Sequence, residues 1–220
     1  MKSIKALISR VAAIGLLALS ATASQAAIIV TFGGTPTADG GLTTSVAGAT
    51  VFNFNAGLPS GYVGGAIVTG SLGGSYAAPP GDNTPYLSVG SPIAGVVSPT
   101  AIANFGSTTY NYFGLYWGSM DAYNTLQFWS GGAQVAGGSF TGAQVAALGA
   151  QLGDQASNLT NRYVNFTFTT GGFNEVRLLS SSPAFESDNH AVAQVPEPAT
   201  LGLLGLGLVG LGLARRRARS

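Results

Sequence analysis

Apolar residues in this chain fall in short runs separated by glycine, proline and small polar residues, and from residue 27 onward the spacing favours strands over helices. Ile28–Phe32 reads as a first strand, followed by turn-like Gly33-Gly34-Thr35-Pro36 and Ala38-Asp39-Gly40-Gly41. Val51, Phe52 and Phe54 mark a second strand. Gly61 to Gly70, with Tyr62, Val63, Ile67 and Val68, marks a third. Gly73-Gly74, Pro79 to Asn83 and Ser91-Pro92 then break the chain, which predicts a long irregular loop with at most one short strand at Tyr86 to Val89.

The sharpest alternation lies between Thr108 and Trp129. Phe113, Leu115 and Trp117 share one face of an extended segment, with Tyr112, Gly114 and Tyr116 on the other. Gly118 to Asp121 is a turn, and Tyr123 to Trp129 returns, so the pattern predicts a β-hairpin. GAQVA occurs at 132–136 and again at 142–146, too few copies for a solenoid. The second copy follows Thr141, a candidate N-cap, and predicts a short helix; the rest of 131–156 reads as surface loop. Arg162 to Phe168 alternates again, Gly171-Gly172 turns it, Phe173 to Leu179 returns, and a last strand covers Ala191 to Val195. Eight to ten short strands without intervening helices predict an all-β fold, an antiparallel β-sandwich of jelly-roll type.

The two ends follow other rules. Lys2, Lys5 and Arg10 precede an apolar stretch, Val11 to Leu19, and a small-x-small site at Ser24-Gln25-Ala26, which reads as a secretory signal peptide over 1–26. Residues 27–195 are then the exported domain, long enough for a single core. From Pro196 to Ser220 the chain changes again. Ala199 to Ala214 carries no charge, and Arg215, Arg216, Arg217 and Arg219 follow. As a helix, 199–214 extends about 24 Å against a hydrocarbon core of about 30 Å, a short transmembrane segment with the arginines held on the cytoplasmic side. Pro196 and Pro198 keep Glu197 in extended chain, open to a processing enzyme.

Charge narrows the partners. The formal net charge is +1, but residues 27–195 hold only Arg162 and Arg177 as bases against Asp39, Asp82, Asp121, Asp154, Glu175, Glu186 and Asp188. Such an acidic body repels phosphate backbones, so nucleic acid is not an expected partner. Cysteine is absent, which excludes disulfides and thiol chemistry.

Pro196-Glu197-Pro198, the apolar run and the arginine cluster together resemble the PEP-CTERM sorting signal. Tyr112 to Ser119 with Asp121, Tyr123 and Asn124, and Ala184 to Asn189, also resemble segments of exosortase-dependent surface proteins. The resemblance implies recognition by an exosortase-like membrane transpeptidase, passage through the inner membrane, removal of the helix, and delivery to the cell surface or extracellular matrix. It implies no catalytic activity.

Candidate chemistry in the body is sparse. His190 is the single histidine of the chain, and no nucleophile-elbow pattern accompanies it. Paired carboxylates are the remaining catalytic route, and Asp121 with Glu186 or Asp188 is the pair to test for glycoside hydrolysis. Glu186, Asp188 and Asn189 set three oxygen ligands within four residues, a candidate calcium loop or else a solvated turn. Tyr112, Tyr116, Trp117, Asp121, Tyr123 and Asn124 form a candidate carbohydrate contact, since exposed rings beside Asp or Asn suit a matrix exopolysaccharide. No catalytic residue is assigned, and the expected role is that of a non-enzymatic surface or matrix protein.

Overall fold

The computed structural model of the chain describes residues 27–38, 40–196 and Gly207. The expected signal peptide at 1–26, Glu197, Pro198, the apolar segment 199–214 and Arg215 to Arg217 lie outside the described residues, Gly207 apart. Among the described residues no helix is long and apolar enough to cross a membrane.

The strands in chain order are β1 (Ile28–Phe32), β2 (Thr35–Pro36), β3 (Leu42–Thr43), β4 (Thr50–Phe52), β5 (Tyr62–Gly64), β6 (Ala66–Val68), β7 (Tyr86–Val89) and β8 (Pro92–Ile93). There follow β9 (Val96–Val97), β10 (Thr100–Asn104), β11 (Tyr112–Gly118), β12 (Asn124–Ser130) and β13 (Ala133–Thr141). After the helix α1 (Gly142–Ala146) come β14 (Arg162–Phe168), β15 (Glu175–Ser180) and β16 (Phe185–Ala193). One sheet runs β1-β14-β11-β16-β7-β6, with β4 on the same edge of β16 as β7; the second runs β13-β12-β15-β10-β5. Every pairing is antiparallel, as expected.

The inner faces meet in one core. Phe113, Leu115, Trp117, Val164, Phe166 and Phe185 come from the first sheet and Leu126, Phe128, Val176 and Leu178 from the second. Phe113 and Phe128 cross the interface edge to face at 5.9 Å, and Phe128 meets Phe166 at 5.3 Å. Inward Phe113, Leu115 and Trp117 match the face expected from the alternation.

The expected hairpins are not hairpins. β11 lies in the first sheet and β12 in the second, and β14 and β15 are divided in the same way. Each glycine-containing turn is an arch that carries the chain across the core. The reason is that alternation specifies which face of a strand is apolar, not which strand it pairs with, and inward residues on both arms are satisfied equally by an arch. The single strand read across Gly61 to Gly70 is likewise two. β5 pairs with β10 and β6 with β7, and the chain changes sheets at Gly64 and Gly65, both at positive φ (76° and 65°).

Besides the short pairs β2-β3 and β8-β9, two strands of the larger sheets appear where loop was expected. β10 pairs along its whole length with β15, and β13 is an edge strand on β12 whose exposed residues left no apolar stripe to read. α1 forms as expected, with Thr141 as N-cap and a reciprocal capping box through Gln144. The last strand starts earlier than expected. β16 begins at Phe185, all nine of its residues are buried, and Glu186 to Asn189 are neither a loop nor a solvated turn.

Candidate functional site

The outer face of the first sheet is covered rather than solvated, and this cover decides the fate of the tyrosines. Tyr112 (1% exposed) donates to Asn165 Oδ1 at 2.6 Å and lies 2.6 Å from Thr44 Oγ1. Tyr116 (2% exposed) donates to the Pro80 carbonyl at 2.8 Å, and Tyr163 to that of Asn189 at 3.0 Å. A Cβ on Gly114 would meet the Tyr112 hydroxyl at 2.5 Å and the Tyr163 hydroxyl at 2.6 Å, so glycine there lets both rings close over the sheet. These rings hold loop segments down and offer no stacking platform.

The expected carbohydrate contact is therefore split. Tyr112, Tyr116, Trp117 and Asn124 are buried; Asp121 and Tyr123 are half-buried. Trp117 stacks on Phe185 inside the core at 4.4 Å, and Asn124 links the Ala184 carbonyl to Ser180 Oγ. Asp121 and Tyr123 instead line a polar cleft of about 440 Å³ with Ser119, Gln155, Glu186 and the 71–76 segment. The single Tyr123 hydroxyl proton has two acceptors, Asp121 Oδ2 at 2.8 Å and the Pro183 carbonyl at 2.7 Å. Burial raises the Asp121 carboxyl above its usual range, and the Tyr123 hydrogen bond opposes that shift.

β16 sorts the remaining polar residues. Between Gly114↔Ala191 and Tyr116↔Asp188 the register slips by one residue, and Asn189 sits at φ 50°. This is a β-bulge. Asn189 Nδ2 donates to the Leu42 carbonyl at 3.1 Å, which ties the side-chain amide to β3.

Ser187 and His190 point into the core. His190 is fully buried, with Nε2 2.9 Å from Ser187 Oγ and Nδ1 3.2 Å from the Tyr62 hydroxyl, and Phe54 and Phe113 pack edge-on against its ring. Burial pushes its pKa down to about 3, so the ring is neutral.

Glu186 and Asp188 point outward under the cover. Ala77 N–H donates to Glu186 Oε1 at 2.9 Å, and Oε2 is buried without a partner. Burial, with a smaller contribution from the Asp121 charge, pushes Glu186 up to about 7. Asp188 stands within hydrogen-bonding reach of Asp82, and burial first, then the Asp82 charge, holds it well above the carboxylate range. Glu186, Asp188 and Asn189 thus diverge to three different partners, and among the described residues no group of three or more His, Cys, Asp or Glu side chains converges as a metal site.

Asp121 and Glu186 line the same cleft, whereas Asp188 is not part of it. Asp82 escapes a reading of the sequence because Pro80-Gly81-Asp82-Asn83 carries the plain signature of a turn. Its Oδ1 does accept from Thr84 N–H at 2.9 Å and Thr84 Oγ1 at 2.7 Å, as in any Asx turn. Only the tertiary fold brings its carboxyl beside Asp188 of β16.

No curated protein and no solved structure matches the chain. The family model described as the PEP-CTERM protein-sorting motif matches residues 194–217, beginning immediately after β16. That motif implies export and processing by exosortase, a membrane enzyme, on the way to the cell surface. The chain therefore carries a PEP-CTERM protein-sorting motif behind an all-β antiparallel domain.

Proposed function

We propose that this is an exported, non-enzymatic protein of the cell surface or extracellular matrix, delivered through residues 1–26 as signal peptide and 196–220 as sorting segment. The observation that carries the reading is the sorting motif at 194–217, set directly behind a central strand of the domain. Only Gln194 and Val195 separate β16 from Pro196, a short spacing that suits a rigid display module. We also assign the sandwich to the jelly-roll type, on the ground that successive strands pass from sheet to sheet, β10 to β11, β11 to β12 and β14 to β15.

The absence of catalysis is supported by the placement of the reactive groups. The one Ser–His contact is sealed in the core, where no substrate reaches it. A glycosidic acid must touch the leaving oxygen, yet Glu186 has one oxygen on Ala77 N–H and the other buried.

The polar cleft favours a second reading, a carbohydrate contact without hydrolysis. Asp121 and Tyr123 are among its half-buried polar side chains, with Ser75 and Tyr76, and the matrix exopolysaccharide is the ligand expected from the destination.

Both readings are tested with the full chain in its own cells. Replacing Pro196-Glu197-Pro198 by alanine is expected to leave the protein in the inner membrane. D121N and Y123F are expected to leave sorting intact and to reduce retention on isolated matrix polysaccharide. Retention unchanged in both variants removes the carbohydrate contact, and normal delivery of the triple-alanine chain removes the sorted-protein reading.

A further inference from the structure

Three buried carboxylate oxygens beneath the cover of the first sheet lack a well-formed hydrogen bond, Asp82 Oδ2 and both oxygens of Asp188, and the Asp188 carboxyl neighbours Asp82, the Thr84 hydroxyl and the Asn189 N–H. Both residues are almost wholly buried, at 5% and 1% exposure. The arginines of the body are engaged elsewhere. Arg177 pairs with Glu175 at 2.6 Å, and Arg162 donates to the Gly149 carbonyl and stacks over Phe32.

A buried carboxylate pair needs a compensating charge, because an unpaired anion in low dielectric is strongly disfavoured. A shared proton is the minimal answer. It supplies one hydrogen bond between the two side chains, satisfying Asp82 Oδ2 and one oxygen of Asp188 and leaving the other Asp188 oxygen orphaned. A divalent cation can be ligated by all three and neutralises both carboxylates. The donors at hand, carboxylate oxygens and the Thr84 hydroxyl, are hard oxygen ligands. Irregular all-oxygen surroundings suit Ca²⁺ better than Mg²⁺, which demands near-octahedral geometry and gives up water reluctantly.

We propose that Asp82 and Asp188 bind a calcium ion that clamps the 79–84 loop onto β16. The clamp is local and consequential. Tyr116 already holds the loop through the Pro80 carbonyl, and Gly41 of the overlying β2–β3 turn approaches so closely that a Cβ there would lie 3.2 Å from the Tyr116 ring and 3.5 Å from Asp82 Cβ. A cation at this point fixes loop, turn and central strand together, and it does so in the compartment where free calcium is abundant. The site differs from the Glu186, Asp188 and Asn189 set expected from sequence in that Asp82 replaces the two residues drawn to other partners.

The supply of calcium rests on the export reading, whereas binding itself does not, and it is tested on purified full chain in mild detergent. The chelated protein is titrated with Ca²⁺ to about 10 mM, with Mg²⁺ in parallel, following thermal unfolding and calorimetric heat. Half-saturation is expected between roughly 0.1 and 1 mM, with a rise in Tm of about 3–6 °C at tenfold excess and a smaller response to Mg²⁺. D188N and D82N keep the shape of each site and remove the charge. They are expected to be at least as stable as the chelated wild type and to lose the calcium response. An unmoved wild-type Tm up to the highest concentration overturns the proposal and leaves a shared proton; a full response retained in D188N but lost in E186Q also overturns it and moves the ion to the cleft.

Discussion

Ser187 Oγ stands 2.9 Å from His190 Nε2, although residues three apart on a regular strand project to opposite faces. The bulge at Asn189 supplies the extra residue that brings both inside. Glu186 and Asp188 take the outer face by plain alternation with Phe185 and Ser187. Alternation and bulge together separate a neutral polar pair in the core from an acidic pair under the cover.

The bulge predicts an order of stabilities. An alanine in the left-handed region is strained by about 1–2 kcal/mol, whereas glycine is not. N189A loses both the backbone compatibility and the hydrogen bond to Leu42; N189G loses only the latter. Urea unfolding should rank wild type above N189G and N189G above N189A, and equal values for the two variants would show that φ at this position carries no strain.

His190 makes acid stability depend on burial. Its folded pKa is depressed to about 3 from 6.5, so between these values the unfolded chain binds more protons than the folded one. Its contribution is intact above pH 6.5 and declines as pH falls toward 3. H190A should destabilise the protein by about 2–4 kcal/mol at neutral pH, through a cavity and the orphaned Tyr62 hydroxyl, and lose this acid-side slope in urea titrations at stepped pH.

Glu186 and Asp188 act in the opposite sense. Both are raised by burial, Glu186 from 4.5 to about 7 in the presence of Asp121 and Tyr123, and Asp188 from 3.8 beside Asp82. Their stabilising effect is present below the unfolded values and is lost as pH rises through the folded ones. Two carboxyls outweigh one histidine between pH 4.5 and 6.5, so chelated protein should gain stability as pH falls from 8 to 4.5. E186Q should flatten that gain, and a wild-type profile level from pH 5 to 8 would contradict it.

Faces were legible in the sequence and partners were not. Ile28–Phe32 and Arg162–Phe168 occur with the expected bounds, and Thr141 caps the expected helix, because each rests on local pattern or local hydrogen bonding. The face of Tyr112 and Tyr116 stays open in the sequence between packing and carbohydrate contact, because alternation assigns sides and not covers; the 33–38, 40–46 and 79–84 segments add a third layer that only the tertiary structure reveals. Glu186 to Asn189 read as a loop for the same reason, since a polar run survives in a central strand only beneath such a cover. Of the acidic pair, Asp188 is legible and Asp82 is not, as nothing local distinguishes a turn aspartate that also meets a distant strand.

The chain beyond β16 decides where the protein goes. The intact mass of the protein, measured separately in the inner-membrane, outer-surface and matrix fractions of its own cells, tests that destination directly. The expected result is a surface or matrix species that lacks residues 1–26 and the apolar segment after Pro198, with the full tail confined to the inner membrane. An uncut tail in all of the protein, held only in the inner membrane, would contradict sorting and leave an ordinary anchored domain.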